Sequence, residues 1–299
     1  MTFLVFSRAS DLQLFKNYDD IERRIDMKIY VSADIEGIWG VVSPRQIGGE
    51  SEDYTRARKL MTQEVNLLCQ YLLQNGASEI VINDSHGPMD NIIIEELNPE
   101  VSLISGYPKD LSMMEGIDES FDCVMLIGYH PKAGTEKGIF DHTYAGRVIR
   151  NLYIDEEELG EVGLNALVAG GFGVPVVLVS GDEKVTQDVK MEIGDIETVA
   201  VKKALSRYCA KNISFLKLEK LYSEAVKNAL KDVKKYPIKK PSSSPVLKLE
   251  LYQAVMAETV ACIPGVKKVG PTSVEYIAEE MADVYKALRS IVTVAQNLI

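Results

Sequence analysis

A chain of 299 residues, 46% apolar and 26% charged, is long enough for one large α/β domain or two smaller ones and can bury a sizeable core. Its net charge of −11, with no Lys/Arg cluster interleaved with aromatics, argues against nucleic acid and against anionic membranes as partners. No apolar run approaches the roughly 18 residues that span a bilayer.

The segment from Met1 to Asp26 has little pattern, and its apolar start is too short for a signal peptide. It is expected to be a poorly ordered extension, and the protein is expected in the cytoplasm. From Met27 strands and helices alternate. "MKIYVSA" (Met27 to Ala33) predicts a buried strand, and "DYTRARKLMTQEVNLLCQYLLQNGA" an amphipathic helix. In that helix Ala57, Leu60, Met61, Val65, Leu68 and Leu72 keep a spacing of three to four, and Gly76 ends it. "SEIVIN", "VSLIS" and "FDCVMLIG" predict three more strands. "RVIRNLYID" alternates like an exposed strand and runs into an acidic turn. "ELGEVGLNALVAGGFG" predicts a helix, "VPVVLVSG" a buried strand and "EKVTQDVKMEI" another helix. Such alternation predicts an α/β fold, a mainly parallel sheet with helices on both faces.

Prolines, serines and lysines in "KKYPIKKPSSSPV" predict a linker. A strand ("VLKLELY"), a short helix, a turn ("VKKVGPTS") and a long helix from about Val274 follow, a small C-terminal α+β subdomain. The chain thus divides into the extension (1–26), an α/β core (27–234) and the linker with its subdomain (235–299). Cys69, Cys123, Cys209 and Cys262 form no C-x-x-C pair, which fits free thiols in a reducing compartment.

Ligands of open parallel sheets bind beyond the carboxyl ends of the strands. Asp34 and Glu36 follow the first strand, His86 the second, His130 the strand ending "LIGY", and Asp182 the one ending "VLVSG". His142 follows in the short stretch "FDHT". Each has an ordinary reading when taken alone: a turn or N-cap carboxylate, a solvated loop histidine, and for Glu161 a first-turn acid of a helix. Together, imidazoles and carboxylates at one sheet edge are the set that holds two divalent cations, which polarise a carbonyl and activate water. Asp34 and Glu36 share a face only if the chain bends, and Gly37 is expected to let it turn. On this reading the chain is a metal hydrolase with its substrate open.

The blocks "MKIYVSADIEGIWG", "VINDSHGPMDN", "LIGYHPKAGTEKGIFDHT", "LGEVGLNALVAG" and "PVVLVSGDE", with "SLISG" and "SMMEGID" between them, occur in this order. The sequence resembles the zinc-dependent D-aminopeptidases of the dipeptide-operon type, from about Met27 to Ser206 and more loosely beyond. The resemblance implies a binuclear site with two Zn2+ per subunit. Asp34 would bridge, Glu36, His86, His130 and Glu161 would be the other ligands, and His142 would be the catalytic histidine. It also implies short peptide substrates with an N-terminal D-residue, such as D-Ala-D-Ala, and a homo-oligomer, a ring-shaped decamer. Three roles stay open for His142: nucleophile, proton shuttle to the departing amine, or donor to the oxyanion, with a metal-activated water the better nucleophile on physical grounds.

Around this set, Asn165 fits either an orienting or a purely structural amide. Asp182 is expected to orient a histidine, and Asn83 or Asp84 to hold the His86 ring. Three other readings stay open: cleavage of L-peptides or other amides, a dimetal phosphoesterase, and a binding protein whose metal is structural. Against the phosphoesterase, no arginine stands beside the motifs.

Overall fold

A computed structural model of the chain describes residues 26–298. The expected disorder of the N-terminal extension therefore lies outside the described residues. β1 (Met27–Ala33), α1 (Glu52–Gln74) and β2 (Ala77–Asp84) open the fold. Ser51 caps α1 by accepting the Tyr54 N–H at 3.1 Å, and Glu52 and Asp53 sit at its positive end. β3 (Ser102–Ile104) and β4 (Cys123–Tyr129) follow. β5 (Ile149–Ile154) and β6 (Glu157–Leu159) form a hairpin. Its acidic turn places Asp155 at φ 50° and Glu156 at φ 69°, the left-handed pair that matches strand twist.

Next come α2 (Glu161–Gly171), β7 (Val176–Asp182) and α3 (Glu183–Glu192). A stretch with no predicted element then folds as β8 (Glu197–Ser206), β9 (Cys209–Asn212) and α4 (Phe215–Lys231). β10 (Val246–Leu251), α5 (Ala254–Val260), β11 (Lys267–Lys268), β12 (Ser273–Ile277) and α6 (Met281–Gln296) complete the chain. The helix predicted from Val274 therefore starts seven residues late. Val274 and Tyr276 alternate with polar neighbours and pair antiparallel with Leu249 and Leu247 of β10, so cross-strand packing prevails over helix propensity there.

Among the described residues the strands make two sheets. The larger has the order β3-β2-β1-β4-β7-β8-β9, parallel except for the β8–β9 pair. α1 and α4 pack together over one face and α2 and α3 over the other, the expected doubly covered α/β architecture. The smaller sheet is antiparallel in the order β11-β12-β10-β5-β6, so β5 and β6 share it with the C-terminal strands. In the main sheet the chain runs outward from β1 to one side and from β4 to the other. The junction of β1 and β4 is the topological switch point, where an open sheet leaves a crevice at its carboxyl edge.

Candidate metal centre

β1, β2 and β4 end at that crevice and deliver Asp34, Glu36, His86 and His130 to it, while α2 supplies Glu161 from its first turn. The chain after β1 is pressed against the end of β4. Asp34 N–H donates to Ile127 O at 2.8 Å and Gly37 N–H to Gly128 O at 2.6 Å. A Cβ on Gly37 would lie 2.0 Å from Tyr129 O, and one on Gly128 2.1 Å from Asp34 O. Gly37 is thus required by close backbone approach, not by a turn conformation that only glycine adopts. Gly37→Ala is expected to cost about 3 kcal/mol or more, read as a lower urea midpoint; an unchanged midpoint would contradict this packing.

Two buried lysines pin the strand ends. Lys202 Nζ, from β8, donates to the carbonyls of Glu36, Ile38 and Val41 at 2.7, 2.8 and 2.6 Å. Three acceptors use all three hydrogens of the ammonium, although burial pushes its pKa down to about 7. Lys109 does the same after β2, donating to Asn83 Oδ1 and Asp84 O at 2.7 and 2.6 Å. Neither lysine has a sequence signal. Each lies far along the chain from the loop it holds, and exposed lysines are the rule.

The five expected ligands and His142 meet in one cluster. His86 Nδ1 lies 3.1 Å from Asp34 Oδ1 and 2.7 Å from Glu36 Oε2. His130 Nε2 lies 3.6 Å from Asp34 Oδ2 and 3.3 Å from Glu161 Oε1. His142 Nε2 is 4.0 Å from Glu36 Oε1 and 3.8 Å from Glu161 Oε1, and its ring stacks on His130 at 4.1 Å. The atoms form three overlapping sets that could hold an ion: Asp34 with Glu36 and His86, Asp34 with His130 and Glu161, and Glu36 with His130 and His142. Asp34 offers a different oxygen to each of the first two.

The far nitrogen of every ring meets a backbone carbonyl: His86 Nε2 on Ile47 O at 2.8 Å, His130 Nδ1 on Pro131 O at 3.0 Å, and His142 Nδ1 on Phe140 O at 2.7 Å. A carbonyl only accepts, so those nitrogens carry the hydrogen. In a neutral ring the inward nitrogen then holds a lone pair aimed at carboxylate oxygens. Asp34 Oδ2, Glu36 Oε2 and His130 Nε2 are buried without an aligned hydrogen-bond partner. Glu36 Oε2 is close to His86 Nδ1 yet misaligned for a hydrogen bond. Acceptors converge on shared space, and a positive charge is needed there: protons on the imidazoles, or a cation.

The electrostatics say the same. Burial, and Glu36 beside it, raise the Asp34 pKa well above its ordinary value. Burial would also raise Glu36, but His86 holds it well below. Burial would lower His86, but Glu36 and Asp34 lift it well above the histidine range. Glu161 likewise lifts His130 to about 10 against burial. His142 differs: burial, and His130 next to it, lower its pKa.

Two expectations about the surroundings change, and the open reading of Asn165 is decided. The His86 ring is held by Ile47 O, not by Asn83 or Asp84. Asp84 instead accepts from Asn91 Nδ2 at 2.8 Å and Ile92 N–H at 2.7 Å. Asp182 caps α3 through the Val185 N–H at 3.0 Å and takes the Ile139 N–H at 3.1 Å, so it anchors the loop leading to His142 and orients no histidine. Asn165 is the structural amide, buried between the hydroxyls of Tyr129 and Tyr285. Backbone contacts of this kind leave no sequence pattern.

A cavity of about 920 Å3 opens over Asp34, Glu36, His86, His142 and Glu161. A purely structural ion site is normally closed, and this one faces open space. Arg289 of α6 and Arg147 also line the cavity. The sequence-based objection to a phosphoesterase, that no arginine is at hand, therefore does not hold.

Known proteins give the context. The family model described as D-aminopeptidase matches residues 27–290. A D-aminopeptidase of Bacillus subtilis (strain 168) is 37% identical over 263 residues, which cover 88% of this chain and 95% of that protein. The solved structure of the Zn-dependent D-aminopeptidase DppA from Bacillus subtilis, described as a self-compartmentalizing protease, superposes with a TM-score of 0.87 at 36% identity. The match covers 90% of this chain and 98% of that one.

Proposed function

The chain belongs to the D-aminopeptidase family, and on that premise we propose that it is a zinc aminopeptidase removing an N-terminal D-residue from short peptides of the D-Ala-D-Ala kind. The observation that carries this reading is the set of inward-facing acceptors at the β1/β4 crevice. Each histidine gives its other N–H to a main-chain carbonyl, and three buried acceptor atoms have no partner. That is the donor set of a borderline cation with nitrogen and oxygen ligands.

Asp34 with Glu36 and His86 would hold one ion, and Asp34 with His130 and Glu161 a second. A bound pair of this kind polarises a carbonyl and lowers the pKa of water towards neutrality. The chain's own residues supply the rest. Glu161 is steadied by the Tyr144 N–H at 2.7 Å. His142, its pKa lowered by burial and by His130, lines the cavity with Nε2 3.8 Å from Glu161 Oε1. It would take the proton that the attacking water loses and give it to the amine as the C–N bond breaks. The Phe140 carbonyl on Nδ1 stabilises the imidazolium during that transfer.

We place the enzyme in the cytoplasm, since four cysteines are free, Cys209 and Cys262 of them exposed. No helix among the described residues is long and apolar enough to cross a membrane. We also propose a self-enclosing ring, a decamer, which sedimentation velocity reads directly; its support is the near-complete match to a self-compartmentalizing relative.

Amine release by the zinc-loaded protein from D-Ala-D-Ala and from L-Ala-L-Ala, with a chelated control, tests the reading. Chelator-sensitive cleavage of the D-peptide alone is expected. Cleavage of the L-peptide removes the stereochemical part, and turnover of a phosphate ester with no peptide cut replaces the reading with the phosphoesterase.

A further inference from the structure

We infer that Arg289 receives the C-terminal carboxylate of the peptide, so that this site selects short peptides with a free C-terminus; the inference rests on the peptidase reading for the identity of the ligand. Among the described residues, four buried side-chain polar atoms have no hydrogen-bond partner. Three belong to the candidate metal centre, and the fourth is Arg289 Nε. Its helix, α6, belongs to the C-terminal segment and plays no part in the metal centre, yet Arg289 lines the same cavity as Asp34, Glu36 and Glu161.

A guanidinium carries five N–H donors in a rigid fork. Little in this structure uses them. Nη1 lies 3.7 Å from Asp110 Oδ1, but the Asp110 side chain is 84% exposed, and a pair of that kind contributes little. The Tyr107 ring lies 5.5 Å from the guanidinium carbon and supports the group from one side without accepting its in-plane hydrogens. The Arg289 side chain is only 17% exposed, and its Nε is sealed from solvent with no acceptor. A largely buried guanidinium with no aligned acceptor, on a residue that lines a substrate-sized cavity, matches a planar carboxylate bound through the N–H donors of its terminal nitrogens.

The position suits the reaction. The scissile amide must lie over the carboxylate and imidazole floor, and Arg289 stands on the wall formed by α6, beside Val292 and Thr293. Its charge is felt at Tyr144, the residue whose N–H steadies Glu161. A peptide held by its carboxylate at that wall places its amide at a set depth. Chain length is thereby read as well as charge.

Calorimetric binding to zinc-loaded His142→Ala protein, in which turnover is suppressed, tests this with D-Ala-D-Ala and its C-terminal amide. The acid is expected to bind about 30-fold tighter than the amide, the scale of a charge-assisted hydrogen-bonded pair. Adding Arg289→Met is expected to collapse the ratio to near one, and Arg289→Lys, which keeps the charge and the stem but not the fork, to leave an intermediate ratio. In the His142-containing enzyme the same loss should fall on KM and spare most of kcat.

Four results overturn the inference: no peptide binding, equal binding of acid and amide, a preference that survives Arg289→Met, or an Arg289-dependent gain for phenyl phosphate that the peptide acid lacks. If the enzyme releases no amine while the binding preference still depends on Arg289, the peptidase reading fails and the carboxylate site stands.

Discussion

Asp34→Asn is expected to lower kcat/KM for peptide cleavage by about 1,000-fold or more, several kcal/mol at 1.36 kcal/mol per decade. It is also expected to reduce bound zinc from two equivalents per chain to one or fewer. Asp34 is the residue shared by both proposed ion sites. One oxygen lies 3.1 Å from His86 Nδ1 and the other 3.6 Å from His130 Nε2. An amide keeps the size but replaces one of these oxygens with a donor, which turns N–H hydrogens towards the space where acceptors converge.

The contrast with Glu161→Gln makes the prediction specific. Glu161 belongs to one of the two Asp34 sets, so its loss should weaken one equivalent and leave the His86 set able to bind. Metal analysis after gel filtration, alongside steady-state kinetics, reads both variants. Two tightly held equivalents and full activity in Asp34→Asn would remove the bridging role.

Zinc is expected to raise the melting temperature, and to raise it more at pH 8 than at pH 6. In the metal-free fold, carboxylate neighbours hold the pKa of His86 well above its ordinary value and that of His130 at about 10. A raised folded-state pKa contributes stability that is fully present below the unfolded value of about 6.5 and is lost as pH rises through the folded value. Between about pH 6.5 and 10 the metal-free protein therefore sheds this contribution. Zinc supplies positive charge that does not titrate away, and at lower pH protons compete with it for the same nitrogens.

Glu36, held low, contributes above its unfolded pKa of about 4.3 and so does not separate pH 6 from pH 8. Lys202, pushed to about 7, titrates with and without zinc, so the difference between zinc-loaded and chelated protein is the quantity to follow. With free zinc about 1,000-fold above its Kd the gain is about 4 kcal/mol, or roughly 8 °C for a chain of this size. Scanning calorimetry with zinc or chelator across that range measures it. A gain that shrinks as pH rises would mean that the imidazoles are not the groups zinc displaces protons from.

Much of the fold was legible because buried parallel strands and amphipathic helices have plain signatures. β1, β4 and β7 are largely apolar and buried along their length, and α1 repeats its buried residues every three or four positions. Where the expectation failed, the signal was short or ambiguous. β12 is five residues long, and its alternation abuts a helix that begins four residues later. β5 alternates as predicted, but nothing local says that it joins β10 rather than the main sheet.

The candidate site divides in the same way. The positions of Asp34, Glu36, His86 and His130 at strand ends could be read from the sequence, because a strand's direction and its exit are local properties. Their convergence with His142 and Glu161 follows from strand order, with β1 and β4 adjacent at the switch point, and strand order is a long-range outcome. The supports were invisible for the same reason. Lys202 meets Glu36 O across 166 residues, and the His86 ring rests on the carbonyl of Ile47 across 39. The sequence by itself determined which side chains are of metal-ligating type and that Asp34, Glu36, His86 and His130 follow strand ends, since both depend on residue type and neighbouring pattern. Only the tertiary structure decided which nitrogen of each histidine faces inward, which carbonyls and lysines hold the loops, and that Arg289 of α6 reaches the same cavity, because those contacts are made by groups far apart in the chain that only folding brings together.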